Sequence, residues 1–213
     1  MNKGKLNPSR VLVLGSNLEK APLREMKKLC EIGWEFISCG KAAKSLNESN
    51  IDYIKHPDDY ISELGGHIML DIQILSGILA DRESLQDMER ISDLGIETID
   101  IVLINIQKTL AFAYSKENPG VNDINTCLFA YLISAVQNSK YVNVITDSSD
   151  CSLVVREIST LGDTSIFTKE MLAKKALDTL ACNFKSVVDV ARYRSRMGQR
   201  IITNPTESDL ALV

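Results

Sequence analysis

Short apolar runs alternate with amphipathic stretches along the chain. "VLVLG" (11–15) is β-rich and ends in Gly, which predicts a buried strand. "PLREMKKLCEIG" (22–33) sets Leu23, Met26, Leu29, Cys30 and Ile32 at helical spacing, with Pro22 suited to the first turn and Gly33 to the stop. "WEFIS" (34–38) predicts a second strand, "KAAKSLNE" (41–48) a short helix and "IDYI" (51–54) a third strand. "HIMLDIQILSGILA" (67–80) is apolar without a decisive period. "RESLQDMERISDLGI" (82–96) predicts an amphipathic helix closing at Gly95, and "IDIVLIN" (99–105) is the clearest strand.

The second half opens with "INTCLFAYLISAVQN" (124–138), an apolar helix with polar ends, followed by a strand at "KYVNVIT" (140–146). A Ser/Asp-capped helix near 148–159 and a long helical segment from about Lys169 to Met197, broken near Asn183, complete the pattern. Strands alternating with helices at this spacing predict an α/β domain around a mainly parallel sheet. The domain is expected at 10–198, between an N-terminal tail at 1–9 and a C-terminal tail at 199–213. That last tail reads as loosely attached, or as an arm exchanged in an oligomer. There is no internal repeat or low-complexity tract.

Composition narrows the function classes. The chain has 213 residues, 45% of them apolar, enough for one substantial core. A net charge of -4 and a pI near 5.3 leave no electrostatic footprint for nucleic acid or a membrane surface. Cys30, Cys39, Cys127, Cys151 and Cys182 are odd in number and never CxxC, so they form neither a disulfide framework nor a zinc motif. Only His56 and His67 are present, which excludes a His-rich metal site. The apolar run after "MNKGKLNPSR" is too short for a signal peptide or membrane span, so a reduced cytoplasmic setting is expected. No cofactor and no metal are implied.

In open parallel sheets, ligands bind beyond the carboxyl ends of the strands. Three polar clusters directly follow strands: Gly15-Ser16-Asn17, Ser38-Cys39-Gly40-Lys41, and Asn105 with Gln107, Lys108 and Thr109. Small residues, hydroxyls and helix N-termini at such points can hold a phosphate through backbone N–H groups, with Lys41 adding charge. Each cluster alone is also an ordinary cap or turn, but three at one sheet edge point to an anion or nucleotide pocket. GxGxxG and the Walker A loop are absent. Cys39 lacks an evident partner base. His67 beside an apolar run is more commonly structural than catalytic, and Asp58-Asp59 fits a helix N-terminal turn.

The order of these segments resembles the IMP cyclohydrolase domain of bifunctional AICAR transformylase/IMP cyclohydrolase. The stretch from "VLVLGSNLEK" to "FISCGKAAKSL" is similar to the family's opening, and "ELGGHIMLDIQILSGILA" to its Gly-Gly-Arg-Val-Lys-Thr-Leu-His-Pro segment. "IDIVLIN" resembles the strand ending in Asn-Leu-Tyr-Pro-Phe, and "INTCLFAYLISAVQN" the run from Ile-Asp-Ile-Gly-Gly-Pro-Thr to Arg-Ala-Ala-Lys-Asn. The likeness covers roughly residues 10 to 198, and the transformylase domain has no counterpart. It implies a methylglyoxal-synthase-like fold, a three-layer sandwich with extra C-terminal helices. It also implies a homodimer, to whose surface the 67–80 run, with Met69 and Ile72, could contribute instead of the core.

The family's reaction closes the purine ring, using two lysines, a tyrosine and an aspartate to stabilise an oxyanion and protonate the departing oxygen. The resemblance puts these positions at Met69, Gln107, Asn125 and Gln137. Gly-Gly-Pro becomes Cys127-Leu128-Phe129, and an arginine becomes Ile133. Ser16, Ser38, Gly40, Asn105 and Asn138 are kept, and Lys20 replaces a first-turn lysine. Every ionisable group has become neutral. One such loss costs on the order of 10²–10³ in rate, although losses within one site need not add.

The expected ligand contacts are therefore Ser16, Asn17, Lys20, Ser38, Cys39, Gly40, Lys41, Asn105, Asn125 and Thr126. Lys108, Lys41, His67 and Asp71 remain as ionisable candidates for chemistry, besides Lys20. The leading reading is a divergent cyclohydrolase-like protein that binds a purine ribonucleotide or another phosphate-bearing small molecule and serves another cyclisation or dehydration. A non-catalytic nucleotide sensor or partner-binding module is the alternative. Genuine IMP cyclohydrolase activity through substituted residues is the third.

Overall fold

The computed structural model describes residues 9–55, 70–105 and 126–203. Five strands, β1 (Arg10–Gly15), β2 (Glu35–Ser38), β3 (Ile54–Lys55), β4 (Ile101–Asn105) and β5 (Asn143–Ile145), form one sheet. Their order is β3-β2-β1-β4-β5 and every pairing is parallel. Helices α1 (Lys20–Glu31), α2 (Gly40–Glu48), α3 (Ile72–Leu79), α4 (Leu85–Asp93), α5 (Thr126–Gln137), α6 (Cys151–Leu161) and α7 (Ile166–Thr203) accompany it.

The strands read as continuous apolar runs because both faces are covered. Odd-numbered strand residues such as Val11, Val13, Ile101 and Leu103 pack under α1, α2 and α6. Their neighbours Leu12, Leu14, Val102 and Ile104 meet α3, α5 and α7 on the opposite face. The result is the expected three-layer sandwich. The "HIMLDIQILSGILA" run contributes α3, where Ile74 and Ile78 are buried but Ile72 is exposed. Gly77 lets α3 approach the sheet: its carbonyl accepts from Ile99 N–H (3.1 Å), and a Cβ there would collide with the Glu97 carbonyl.

Two boundaries differ from the pattern-based reading. β3 is only the pair Ile54–Lys55, at the sheet edge. The C-terminal helix starts at Ile166 and runs unbroken to Thr203, past Asn183. Asn183 does not break it because it sits on the packed face, buried among neighbours that favour the helix. The helix begins at a built cap: Thr168 N–H donates to Ser165 Oγ (3.2 Å), while Glu157 of α6 accepts from Ser165 N–H (2.8 Å) and Thr168 Oγ1 (2.7 Å).

The amino edge of the sheet is closed by charge. Asp100 accepts from Arg82 Nη1 (2.6 Å) and from the Arg10 backbone N–H (2.9 Å). Arg82 Nη2 also donates to the Ile99 carbonyl (2.7 Å), and Arg10 pairs with Glu35 and Glu97. Among the described residues, no helix is long and apolar enough to cross a membrane.

Candidate functional site

Since β2 and β3 lie on one side of β1 and β4 and β5 on the other, the order in which the parallel strands are added reverses between β1 and β4. The paired ends Gly15 and Asn105 mark that point on the carboxyl edge. Gly15 has φ 101°, and the next residue, Ser16, has its hydroxyl buried with no hydrogen-bond partner. Asn17 and Lys20 are exposed. Leu18 N–H donates to Ser45 Oγ (3.1 Å), which in turn donates to the Lys41 carbonyl (3.2 Å). The turn after β1 is thereby fastened to the first turn of α2.

At the end of β2, Ser38 is fully buried and its hydroxyl donates to the Val13 carbonyl (2.7 Å). That bond ties β2 to β1 and leaves Ser38 a structural role. Cys39 is buried with extended backbone at the N-terminus of α2 and makes no side-chain cap. Gly40 is exposed at φ 57°, with open space where a Cβ would stand. Lys41 is exposed beside it. The β1 and β2 turns therefore do meet, bringing Ser16, Cys39, Gly40 and Lys41 to one edge.

A cavity of about 480 Å³ opens next to them. Asn105 and Thr146, both buried, form its floor at the ends of β4 and β5. Asp147, Ser148 and Ser152 line one side, and Glu19, Arg24 and Glu25 of the α1 start line the other. Of the expected ligand contacts among the described residues, only Asn105 lines this cavity. The cluster Thr146-Asp147-Ser148-Ser149 obeys the same rule as the others, polar residues directly after a strand, but in the sequence it reads as the cap of the following helix.

Asp147 accepts from Ser149 N–H (2.9 Å), and that bond, with the nearby Lys175 ammonium, holds its carboxyl below the ordinary range. Lys175 spans Asp147 (3.4 Å) and Asp150 (2.7 Å). Burial works to lower the ammonium's pKa, but the two carboxylates outweigh it and the net shift is upward. Burial pushes the Cys151 thiol up to about 12, so it offers no thiolate at this rim. Among the described residues, no cluster of His, Cys, Asp and Glu could hold a metal ion.

The remaining candidates scatter. Asp71 caps α3, its Oδ1 accepting from Ile74 N–H (2.9 Å) while its own N–H donates to Tyr131 Oη (2.6 Å). It opens on a separate cavity of about 150 Å³ with Arg10, Ile37 and Ile54. Thr126 begins α5, whereas Gln137 ends it, exposed and roughly 16 Å away at 1.5 Å per residue. Asn138 clamps the end of α3, donating to the carbonyls of Ile78 (2.7 Å) and Ala80 (3.0 Å). Thr126 and Gln137 therefore stand at opposite ends of α5. Met69, Gln107, Asn125, Lys108 and His67 lie outside the described residues, as does the dipeptide Asp58-Asp59.

No family model matches the chain. Its sequence is 32% identical over 174 residues to the bifunctional purine biosynthesis protein PurH of Caldicellulosiruptor saccharolyticus, covering 78% of this chain and 34% of that protein. With PurH of Streptococcus pneumoniae the identity is 31% over 170 residues, covering 76% and 33%. The chain carries a PurH-like domain. It spans about a third of the length of the curated PurH relatives it matches. The crystal structure of ForH superposes with a TM-score of 0.69 over 86% of this chain and 98% of that one, at 20% identity, which shows a shared fold. The parallel sheet between two helical layers is thus a PurH-like, methylglyoxal-synthase-like sandwich.

Proposed function

We propose that this PurH-like domain binds a purine ribonucleotide, or a related phosphate-bearing small molecule, at the carboxyl edge of β1, β2 and β4. The supporting observation is the buried, unpartnered hydroxyl of Ser16 at the end of β1. On the same edge of the sheet, Gly40 opens α2 at positive φ, a conformation that lets a phosphate approach the backbone closely. The contacts we assign are Ser16, Asn17, Lys20, Cys39, Gly40, Lys41, Asn105, Asn125 and Thr126.

Ordinary closure of the formamido ribonucleotide to IMP is not its reaction. Met, Asn and Gln at 69, 125 and 137 neither transfer a proton readily nor supply a positive charge to an oxyanion. The domain instead serves another cyclisation or dehydration, and it acts as a homodimer in the cytoplasm. The exposed position of Gln137 favours a second reading, a nucleotide-sensing or partner-binding module without catalysis.

A thermal-shift series with IMP, the formamido ribonucleotide, ribose 5-phosphate and inorganic phosphate tests the binding. Stabilisation by the nucleotides and ribose phosphate is expected, of about 2.7 kcal/mol at a hundredfold excess over Kd. Absence of any shift at millimolar ligand sinks the reading. Steady IMP formation in the same mixture, lost on Lys41→Ala or Lys108→Ala, would restore ring closure.

A further inference from the structure

The cavity between the starts of α1 and α6 is built to accept hydrogen bonds. Its volume of about 480 Å³ is in the range of small-molecule sites, and its floor is the buried pair Asn105 and Thr146. What its walls can donate follows from where their hydroxyl protons go. Thr179 Oγ1 gives its single proton to the Lys175 carbonyl (2.8 Å). In the contact between the Thr146 and Thr179 hydroxyls (3.4 Å), Thr146 is therefore the donor. Ser152 likewise donates to the Ser149 carbonyl (3.3 Å). In this arrangement both lining hydroxyls, Thr146 and Ser152, offer the cavity acceptors.

The charged groups add to this. Three carboxylates, Glu19, Glu25 and Asp147, line the cavity against one guanidinium, Arg24. Lys28 binds Glu25 (2.7 Å) and Lys175 binds Asp147 (3.4 Å), but neither ammonium is among the lining residues. A carboxylate only accepts, and it has room for several donors. Asp147 is ionised at neutral pH, since Ser149 and Lys175 hold its carboxyl below the ordinary range. Such a wall repels a second phosphate and offers a ring carbonyl few donors besides Arg24.

The cavity also lies at the right remove from the turn after β1. Gly15 pairs with Asn105 and Leu103 with Ile145, so β5 ends two strand spacings, about 10 Å, from that turn. A ligand whose phosphate lies at the Ser16 turn reaches the cavity with its far end. We propose that the cavity selects a ligand whose ring carries an exocyclic amino group there, donating to Asp147 and Thr146, over one with a ring carbonyl in its place. The selection rests on the phosphate site proposed above.

Titration calorimetry of the full chain with two matched pairs, AMP against IMP and GMP against XMP, tests it. Within each pair the first carries an amino group where the second carries an oxo group. The amino member of at least one pair should bind about 10-fold tighter or more, the effect of a hydrogen bond to a charged acceptor. Asp147→Asn keeps an oxygen for Ser149 N–H but turns the other into a donor, and should bring that pair within about twofold. If the variant loses helical circular dichroism, Asp147→Ser takes its place, since serine also caps. A difference below about threefold in both pairs, or a preference for the oxo member, overturns the proposal and leaves phosphate binding standing. Binding of ribose 5-phosphate without any nucleotide does the same, and so does a preference that persists in the folded variant. If ribose 5-phosphate and all four nucleotides fail to bind, the phosphate site falls with it.

Discussion

A buried hydroxyl without a partner costs free energy that folding alone does not return, and Ser16 keeps one at the end of β1. Removing it should therefore separate stability from binding. Ser16→Ala is expected to leave urea stability within about 0.5 kcal/mol of the wild type, or to raise it slightly. The thermal shift produced by IMP or ribose 5-phosphate should shrink at the same time. A variant that binds as well as the wild type would remove Ser16 from the site. Gly77 is the opposite case, where the missing side chain is structural. A Cβ there meets the Glu97 carbonyl, a backbone atom that cannot swing aside. Gly77→Ala should cost about 1–3 kcal/mol of unfolding free energy without changing ligand affinity once folded.

Among the elements, α7 depends on a cap lent by its neighbour. Glu157 of α6 accepts from Ser165 N–H and Thr168 Oγ1, and these bonds hold its carboxyl below the ordinary range. Because the folded-state value is depressed, the stabilisation is complete above the unfolded carboxylate's pKa and disappears as pH falls through the folded one. Glu157→Gln should cost about 1 kcal/mol at neutral pH, as the loss of a helix cap does. It should also flatten the fall of Tm with acid below about pH 4.5. An unchanged acid slope in the variant would show that the cap carries none of it. No spacing rule announces this link, because Glu157 caps a helix eight residues ahead from inside another one. The strands were legible for the opposite reason: "VLVLG" and "IDIVLIN" are apolar on both faces, and burial on both faces is what a central parallel strand experiences. The turn chemistry was half legible. Polar residues after β1, β2 and β4 stand out as a class, but sequence does not show that Ser38 spends its hydroxyl on Val13 or that Asp71 caps α3. Nor could it show that a cavity of about 480 Å³ leans toward the Asp147 turn after β5.

The whole molecule has a fastened end and an open one. At the amino edge, Asp100 binds Arg82 and the Arg10 backbone, so the loop after α3 and the starts of β1 and β4 share one buried carboxylate. At the carboxyl edge, the Ser16 hydroxyl stays without a partner; at the amino edge the Arg82 Nε is unpartnered too, but its Nη1 and Nη2 atoms are held by Asp100 and the Ile99 carbonyl. This division assigns stability to one end and ligand recognition to the other, and a single substitution tests it. Asp100→Ala leaves the largely buried Arg82 without its counter-charge, which should cost about 3–5 kcal/mol. The loss should appear as a lower urea midpoint with the same slope, since the same surface is exposed on unfolding. Measured where the variant is still folded, nucleotide affinity should stay within about twofold of the wild type, because the pair lies at the far end of the strands from the proposed site. A large affinity loss in folded Asp100→Ala protein would mean that the two ends are coupled through the sheet. The stability of the amino edge would then be part of how the ligand is held.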